Sequence, residues 1–332
     1  MKITVLMTVY NGGPYLSEAL RSVLSQDCKD FEFLVIDDAS TDDSVRTVES
    51  FHDPRIRLIR NPKNIGQTAS LNIGLREARG EYVARIDADD LALPGWLAAQ
   101  AAGARQHPAC AVISLPIVQI DLAGKVQKSH DIFTSREDIF LRILTHSPVN
   151  HGGCLMKRSL ILAEGGYDEK LRIAADYALW SRLFCHGHSF FFTAHTGMAI
   201  RVHGGSLSRA SLERLKAEVT PIMAANILAL TDHALSEEEL EMLWGIFYDI
   251  DAFPRARVRA AEEAFRKVIF SRKPAAGVTD AMCRNYFNAI RRQNALRLLF
   301  RAMDRNVILK SIPLLARRLL QARTAFKFKA RA

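Results

Sequence analysis

Cysteine is scarce in this 332-residue chain: Cys28, Cys110, Cys154, Cys185 and Cys283, odd in number and without any CxxC spacing. That argues against a disulfide framework or a thiolate zinc site, and for a reducing compartment. Long uncharged apolar runs are also missing. None reaches the roughly 18–20 residues that span a bilayer, so a soluble or peripheral protein is expected. The opening run Met1-Lys2-Ile3-Thr4-Val5-Leu6-Met7 reads as a buried strand, because it is too short for a signal peptide and no small-residue cleavage site follows. Internal repeats and low-complexity linkers are absent as well, which excludes solenoids and arrays.

What is present is enough for a large core. At 332 residues the length suits one large domain with an appendage. Hydrophobic residues at 48 % and charged residues at 24 % are the balance of a globular protein. The net charge of +9 hides an asymmetry: residues 251–332 hold 20 Lys+Arg against 5 Asp+Glu, whereas residues 1–250 hold 25 against 31. A slightly acidic body therefore carries a strongly basic tail, which implies an anionic neighbour such as a membrane surface, nucleic acid or a phosphate-bearing acceptor.

Hydrophobic periodicity switches repeatedly in the first hundred residues. Strand-like runs at 2–9, 31–37, 55–60 and 81–86 alternate with helical stretches near 14–26, 42–51, 66–79 and 94–106. This βα alternation predicts an α/β fold, a doubly wound, mostly parallel sheet with right-handed crossovers. Asn11-Gly12-Gly13-Pro14 supplies the first turn, with proline near a helix start. Shorter strands are expected at 111–115 and 124–127. From about Ser208 the pattern is all-helical, near 210–231, 236–248, 255–270, 279–303 and 307–326. The turn-rich His203-Gly204-Gly205-Ser206 marks the boundary, giving domains of 1–207 and 208–332.

The strongest chemical signal is Tyr82-Val83-Ala84-Arg85-Ile86-Asp87-Ala88-Asp89-Asp90, an apolar strand running into three carboxylates. Such a cluster repels itself unless a cation intervenes, and a hard divalent ion with oxygen ligands is the usual remedy. The alternative is helix capping. A second acidic strand end, Val35-Ile36-Asp37-Asp38, lies upstream, and two such ends describe a site at the carboxyl edge of an open sheet.

The order of these pieces resembles the bacterial family 2 glycosyltransferases. The matching stretches are Val5-Leu6-Met7-Thr8-Val9-Tyr10-Asn11, Val35-Ile36-Asp37-Asp38-Ala39-Ser40-Thr41-Asp42 and Asn64-Ile65-Gly66-Gln67-Thr68-Ala69-Ser70-Leu71-Asn72. Then come the 78–90 stretch with its DxDD, Gly165-Gly166-Tyr167-Asp168, Ala175-Asp176-Tyr177-Ala178-Leu179-Trp180 and Arg201-Val202-His203. The match covers roughly residues 1–210. It implies a GT-A fold, Rossmann-like, followed here by an all-α C-terminal region.

The resemblance also implies residue roles. Thr8, Tyr10 and Asp38 would form the base pocket, with an aromatic face for stacking and a carboxylate to accept the uracil imide N–H. Asp37 would support them. Asn64 and Gly66 would turn toward the nucleotide, or form a plain turn. Asp87 would contact the ribose or the metal shell, Asp89 would ligate Mn²⁺ or Mg²⁺, and Asp90 would orient the shell or cap a helix. His203 would add a ligand or be structural, and Arg201 would pair with phosphate or form a surface salt bridge. Asp176 would be the catalytic base deprotonating the acceptor hydroxyl, or an N-cap. The family's usual Glu-Asp is Ala175-Asp176 here, so any role of the glutamate is in doubt. His151 would line the acceptor side, or pack in the core.

The implied activity is inverting, metal-dependent transfer from a nucleotide sugar, UDP-linked by expectation, to a hydroxyl of a glycan or polyisoprenyl-linked acceptor. Surface polysaccharide synthesis on the cytoplasmic face of the inner membrane would fit. The basic amphipathic tail would lie on an anionic membrane, or simply pack as a helical subdomain. The rival readings are a nucleotidyltransferase, whose Gly-x-Gly-Thr-Arg loop is absent, a receiver-like phosphoacceptor domain, which would explain Asp37-Asp38 but not the DxDD, and a nucleic-acid-binding protein acting through the tail.

Overall fold

The computed structural model describes residues 2–129, 135–202, 212–248, 258–270, 278–279, 281–286 and 288. The chain opens with β1 (Ile3–Val9), a 3-10 turn at Gly13–Tyr15, α1 (Leu16–Leu24), β2 (Phe31–Asp37) and α2 (Ser44–Glu49). It continues through β3 (Ile56–Arg60), α3 (Gln67–Glu77), β4 (Tyr82–Asp87), β5 (Leu91–Ala92) and α4 (Trp96–Gln106). The middle section holds β6 (Val112–Ser114), β7 (Ile117–Ile120), β8 (Val126–Ser129), α5 (Arg136–Ile143), β9 (Leu155–Lys157) and α6 (Arg158–Ala163). After α7 (Ala175–Cys185), β10 (Phe190–Phe192) and β11 (Met198–Arg201) come the helices α8 (Leu212–Thr231), α9 (Glu237–Phe247) and α10 (Val258–Ile269). The first four strands lie within one residue of the expected limits, and the first four helices within two.

The main sheet has seven strands in the order β10-β6-β9-β4-β1-β2-β3. Strand β1 runs parallel to both β2 and β4, β2 parallel to β3, and β6 parallel to β10. Only β9, wedged between β4 and β6, is antiparallel. A strand covered on both faces must be apolar throughout rather than alternating. All seven residues of β1 are buried accordingly. Helix α1 packs through Leu16, Ala19, Leu20 and Val23, the i, i+3, i+4, i+7 stripe of an amphipathic helix. Gly74 lets α3 lie close on the sheet, since a Cβ there would run into the Leu6 side chain. A second sheet, β5-β11-β7-β8, was not foreseen from the sequence.

Register sets up the site. Thr8 pairs with Ile36 on one side and with Asp87 on the other, and Val9 pairs with Asp37. The carboxyl ends of β1, β2 and β4 therefore finish side by side at one sheet edge, where open α/β sheets bind ligands.

The chain divides into two compact units, Met1–Leu240 with Val268–Gly277, and Glu241–Lys267 with Val278–Ala332. Helix α8 belongs to the first. Its buried Asn226 donates to the carbonyl of Ile143 at 2.7 Å and to Ser181 Oγ at 2.8 Å. Among the described residues no helix is long and apolar enough to cross a membrane. The expected helix at 307–326 and most of that at 279–303 lie outside the described residues.

Candidate active site

A cleft of about 960 Å³ opens at that sheet edge. Thr8, Tyr10, Asp38, Asn64, Gly66, Asp87, Asp89, His151 and Asp176 all line it. His203 lies outside the described residues.

The first wall comes from the ends of β1 and β2. Tyr10 stands 53 % exposed, a large apolar face with no core to cover it. Asn11, in the left-handed region with φ 50, reaches across to accept the Thr41 backbone N–H at 2.8 Å, which ties the two turns together. Asp38 is buried, and its carboxylate accepts Asn61 Nδ2 at 2.8 Å and the backbone N–H groups of Ile65 at 3.0 Å and Gly66 at 2.8 Å. Its immediate effect is thus to hold the 61–66 loop against the sheet. A carboxylate offers about four acceptor positions, so one remains on Oδ2. Gly66 leads into α3 at φ 92, a conformation glycine adopts without strain. Asn64 is exposed on the rim, and Asp37, behind this wall, accepts the Ser40 N–H at 3.3 Å.

The second wall is the DxDD turn. Arg85 and Asp87 sit two apart on one strand, hence on one face, and form a two-pronged ion pair. Gln67 Nε2 also donates to Asp87 at 3.2 Å. Burial pushes the Asp87 carboxyl up while Arg85 pulls it down. Asp90 is buried; Oδ1 accepts the Arg201 N–H at 2.8 Å, and Oδ2 has no partner. Burial first, then repulsion from Asp87 and Asp89, pushes the Asp90 carboxyl well up. Asp90 therefore ties β11 to the turn and caps no helix.

Of the two expectations for Arg201, the structure shows the salt bridge, made to the exposed Glu18. The residue itself is 3 % exposed, and its guanidinium hydrogen bonds go to groups within the chain. Nε reaches the Asp89 carbonyl at 3.1 Å, Nη1 the carbonyls of Asp121 and Leu122, and Nη2 Glu18 at 2.8 Å. The guanidinium also lies 4.4 Å from the Tyr15 ring centre.

Among the described residues no three His, Cys, Asp or Glu side chains converge as a ready cation cage. The donor set instead fits a hard ion shared with a substrate. Asp87 is turned to Arg85, Asp89 is half-buried on the cleft, and the unpartnered Asp90 oxygen marks a surplus of negative charge beside them. Mg²⁺-type ions commonly take one or two carboxylates and complete their shell with phosphate oxygens and water.

The third wall carries Asp176, in the first turn of α7 behind the N-cap Ala174. Its Oδ2 accepts Ser147 Oγ at 3.1 Å. Burial pushes its carboxyl up, against the pull of the Tyr177 N–H and Ser147. A raised carboxylate in a cleft is suited to taking a proton. His151 Nε2 lies 2.7 Å from Tyr167 Oη, and burial holds the imidazole well below its usual range, hence neutral. Arg85, Gln67 and Ser147 were not assigned from the sequence. Arg85 was legible in principle, as a lone cation in a buried strand on the same face as Asp87.

The family profile described as glycosyl transferase family 2 matches residues 4–164. EpsE of Bacillus subtilis (strain 168), provisionally named a glycosyltransferase, is 34 % identical over 191 residues, 56 % of this chain and 68 % of EpsE. The succinoglycan biosynthesis protein ExoO of Rhizobium meliloti (strain 1021) is 30 % identical over 221 residues, 62 % of each chain. Among solved structures, S. aureus TarS 1–349 in complex with UDP-GlcNAc aligns with a TM-score of 0.59 at 19 % identity, covering 89 % of this chain and 88 % of that one. The mannosyltransferase PcManGT from Pyrobaculum calidifontis, in complex with GDP-Man and Mn²⁺, aligns at 0.52 with 20 % identity, covering 91 % and 88 %. At such identities these two speak for the GT-A fold alone. With its sheet order, its motifs and a relative matched over two thirds of its length, the chain belongs to the family 2 glycosyltransferases and is an enzyme that transfers sugars.

Proposed function

We propose that this glycosyltransferase is inverting and metal-dependent, moving a sugar from a UDP-linked donor to a hydroxyl of a glycan or polyisoprenyl-linked acceptor in surface polysaccharide synthesis. The observation that carries the reading is one cleft lined at once by Tyr10 and Asp38, by Asp87, Asp89 and Asp90, and by Asp176. The nucleotide-sugar complexes of TarS and PcManGT support a donor of that class, and ExoO supports a polysaccharide product. Family membership removes the nucleotidyltransferase as a reading of this cleft. The tail readings, membrane or nucleic acid, rest mostly on residues outside those described, and we favour peripheral attachment to an anionic membrane on the cytoplasmic face. Residues 1–207 would carry donor binding and catalysis, and 208–332 the helical region.

In the mechanism, Tyr10 stacks on the base and the spare position on Asp38 takes its N–H. Asp89 would hold Mn²⁺ or Mg²⁺, with His203 as the further ligand the resemblance implies. When bound, the ion neutralises charge that builds on the departing diphosphate. Arg85 keeps Asp87 oriented at the edge of that site. Asp176 removes the acceptor's proton as its oxygen attacks the anomeric carbon, and the sugar–phosphate bond breaks with its electron pair leaving on the nucleoside diphosphate. One base and one displacement give inversion.

Calorimetry with UDP and Mn²⁺, beside an assay of UDP release, tests this. Asp89→Asn should lose Mn²⁺-dependent UDP binding, while Asp176→Asn should bind UDP normally and lose transfer. Equal UDP affinity in wild type and Asp89→Asn would refute the metal assignment, and undiminished release by Asp176→Asn would refute the base.

A further inference from the structure

Ala175 leaves the base without an acidic neighbour in sequence, yet a carboxylate from another element arrives at the segment just ahead of it. Glu218 of α8 reaches the segment just ahead of α7. Its Oε2 accepts the backbone N–H of Ile173 at 2.8 Å, Ala174 at 3.0 Å and Arg172 at 3.1 Å, and Oε1 lies 3.2 Å from the Arg172 nitrogen. Three consecutive amides thus converge on one side chain. Such charge-assisted bonds are among the stronger ones a protein makes.

What they hold is functional surface. Leu171, Arg172 and Ile173 line the cleft, and Ala174 is the N-cap of the helix whose first turn bears Asp176. The N-cap Ala174 has no capping side chain, so the backbone course of 172–174 is held by Glu218, beside the bond from Thr68 Oγ1 to the Leu171 carbonyl at 2.7 Å. The platform beneath Glu218 is firm. Val219, Met223 and Ile227 are buried, and Asn226 binds Ile143, Tyr177 and Ser181 at 2.7–3.2 Å.

We propose that Glu218 is a positioning residue of the transfer reaction, setting the 171–174 wall and the direction from which Asp176 meets the acceptor. It acts through the backbone and touches no substrate. The proposal rests on Asp176 as base, and it would extend the functional limit of the catalytic part from residue 207 to α8.

The test uses the full chain. A panel of UDP-glucose, UDP-galactose and UDP-N-acetylglucosamine is screened for UDP release to water, and the fastest is kept as probe. Glu218→Ala should lower kcat for that release about tenfold, since an ångström of misplacement costs rates of this order or more. Its Kd for UDP should stay within about twofold of wild type, because the donor walls are built on β1, β2 and β4. Glu218→Gln, which keeps one oxygen for Ile173 and Ala174, should lose only about threefold. Amides 172–174 should exchange faster in both, more so in the alanine variant. Unchanged release by Glu218→Ala would overturn the proposal. So would a loss of UDP affinity that keeps pace with the loss of rate, for the residue would then merely hold the fold. Should the alanine variant not fold, the glutamine variant decides by the same two criteria. Full release by Asp176→Asn would instead sink the base, whatever Glu218 does.

Discussion

Replacing Arg201 by methionine is the sharpest perturbation of the donor side. Methionine keeps the aliphatic packing of the stem and removes every side-chain donor. The carbonyls of Asp89, Asp121 and Leu122 lose their partner, at about 1 kcal/mol each. Glu18 is more than half exposed on its side chain, so its ion pair adds only a few tenths of a kcal/mol. Loss of the contact with Tyr15 removes roughly 0.5–1 kcal/mol more. Together these amount to about 4 kcal/mol, which in a unit of this size lowers Tm by roughly 8–16 °C. The Arg201 backbone N–H still holds Asp90, so the selective effect falls on the Asp89 backbone. On the proposed role of Asp89 as metal ligand, affinity for UDP with Mn²⁺ should drop about tenfold, the lower end for loss of one positioning contact of a ligand. Circular dichroism melts and calorimetry on Arg201→Met and Arg201→Lys measure both effects, and lysine should recover part of each. A methionine variant that melts within about 2 °C of wild type and binds UDP normally would refute the role assigned to this guanidinium.

Other outcomes are equally concrete. Tyr10→Ala should weaken UDP binding about tenfold, the lower end of what base stacking contributes, while Tyr10→Phe should bind as wild type; titration of both decides. The rate of UDP release should fall on acidification through a pKa above the ordinary aspartate value, because burial raises Asp176 and only its ionised form accepts a proton. Ser147→Ala removes a bond to that ionised form, so the acid limb should move to higher pH; an unmoved or lowered limb would contradict Asp176 as the titrating group. Gly153 sits at φ 90 with a would-be Cβ inside the Met198 side chain, so Gly153→Ala should destabilise by more than about 1 kcal/mol in urea unfolding.

Much of the fold was legible because local rules and global topology agree over the first hundred residues. Continuous apolar runs such as 3–9, short and set between amphipathic helical stretches, read as parallel strands covered on both faces, and helix α1 between them carries one apolar stripe. Beyond Pro108 that agreement ends. Strand β9 is three residues long and antiparallel, and β5 is two, so neither is long enough to show a period. The described residues named for the site from motif order line one cleft, and most of them sit at or just past a strand end or at a helix start, places a sequence pattern can locate.

The amino-acid order alone indicated the family, through the resemblance of its ordered motifs, and the sheet core and the acids at its carboxyl edge, through periodicity and short-range spacing. Tertiary structure decided how those acids are employed. Asp87 is turned to Arg85, Asp90 to the backbone of Arg201, and the approach to Asp176 is braced by Glu218 from forty-two positions further on. Such pairings join groups remote along the chain, or set by the strand's facing. No local pattern encodes them, because a carboxylate's role depends on which donors the fold brings within about 3 Å of it.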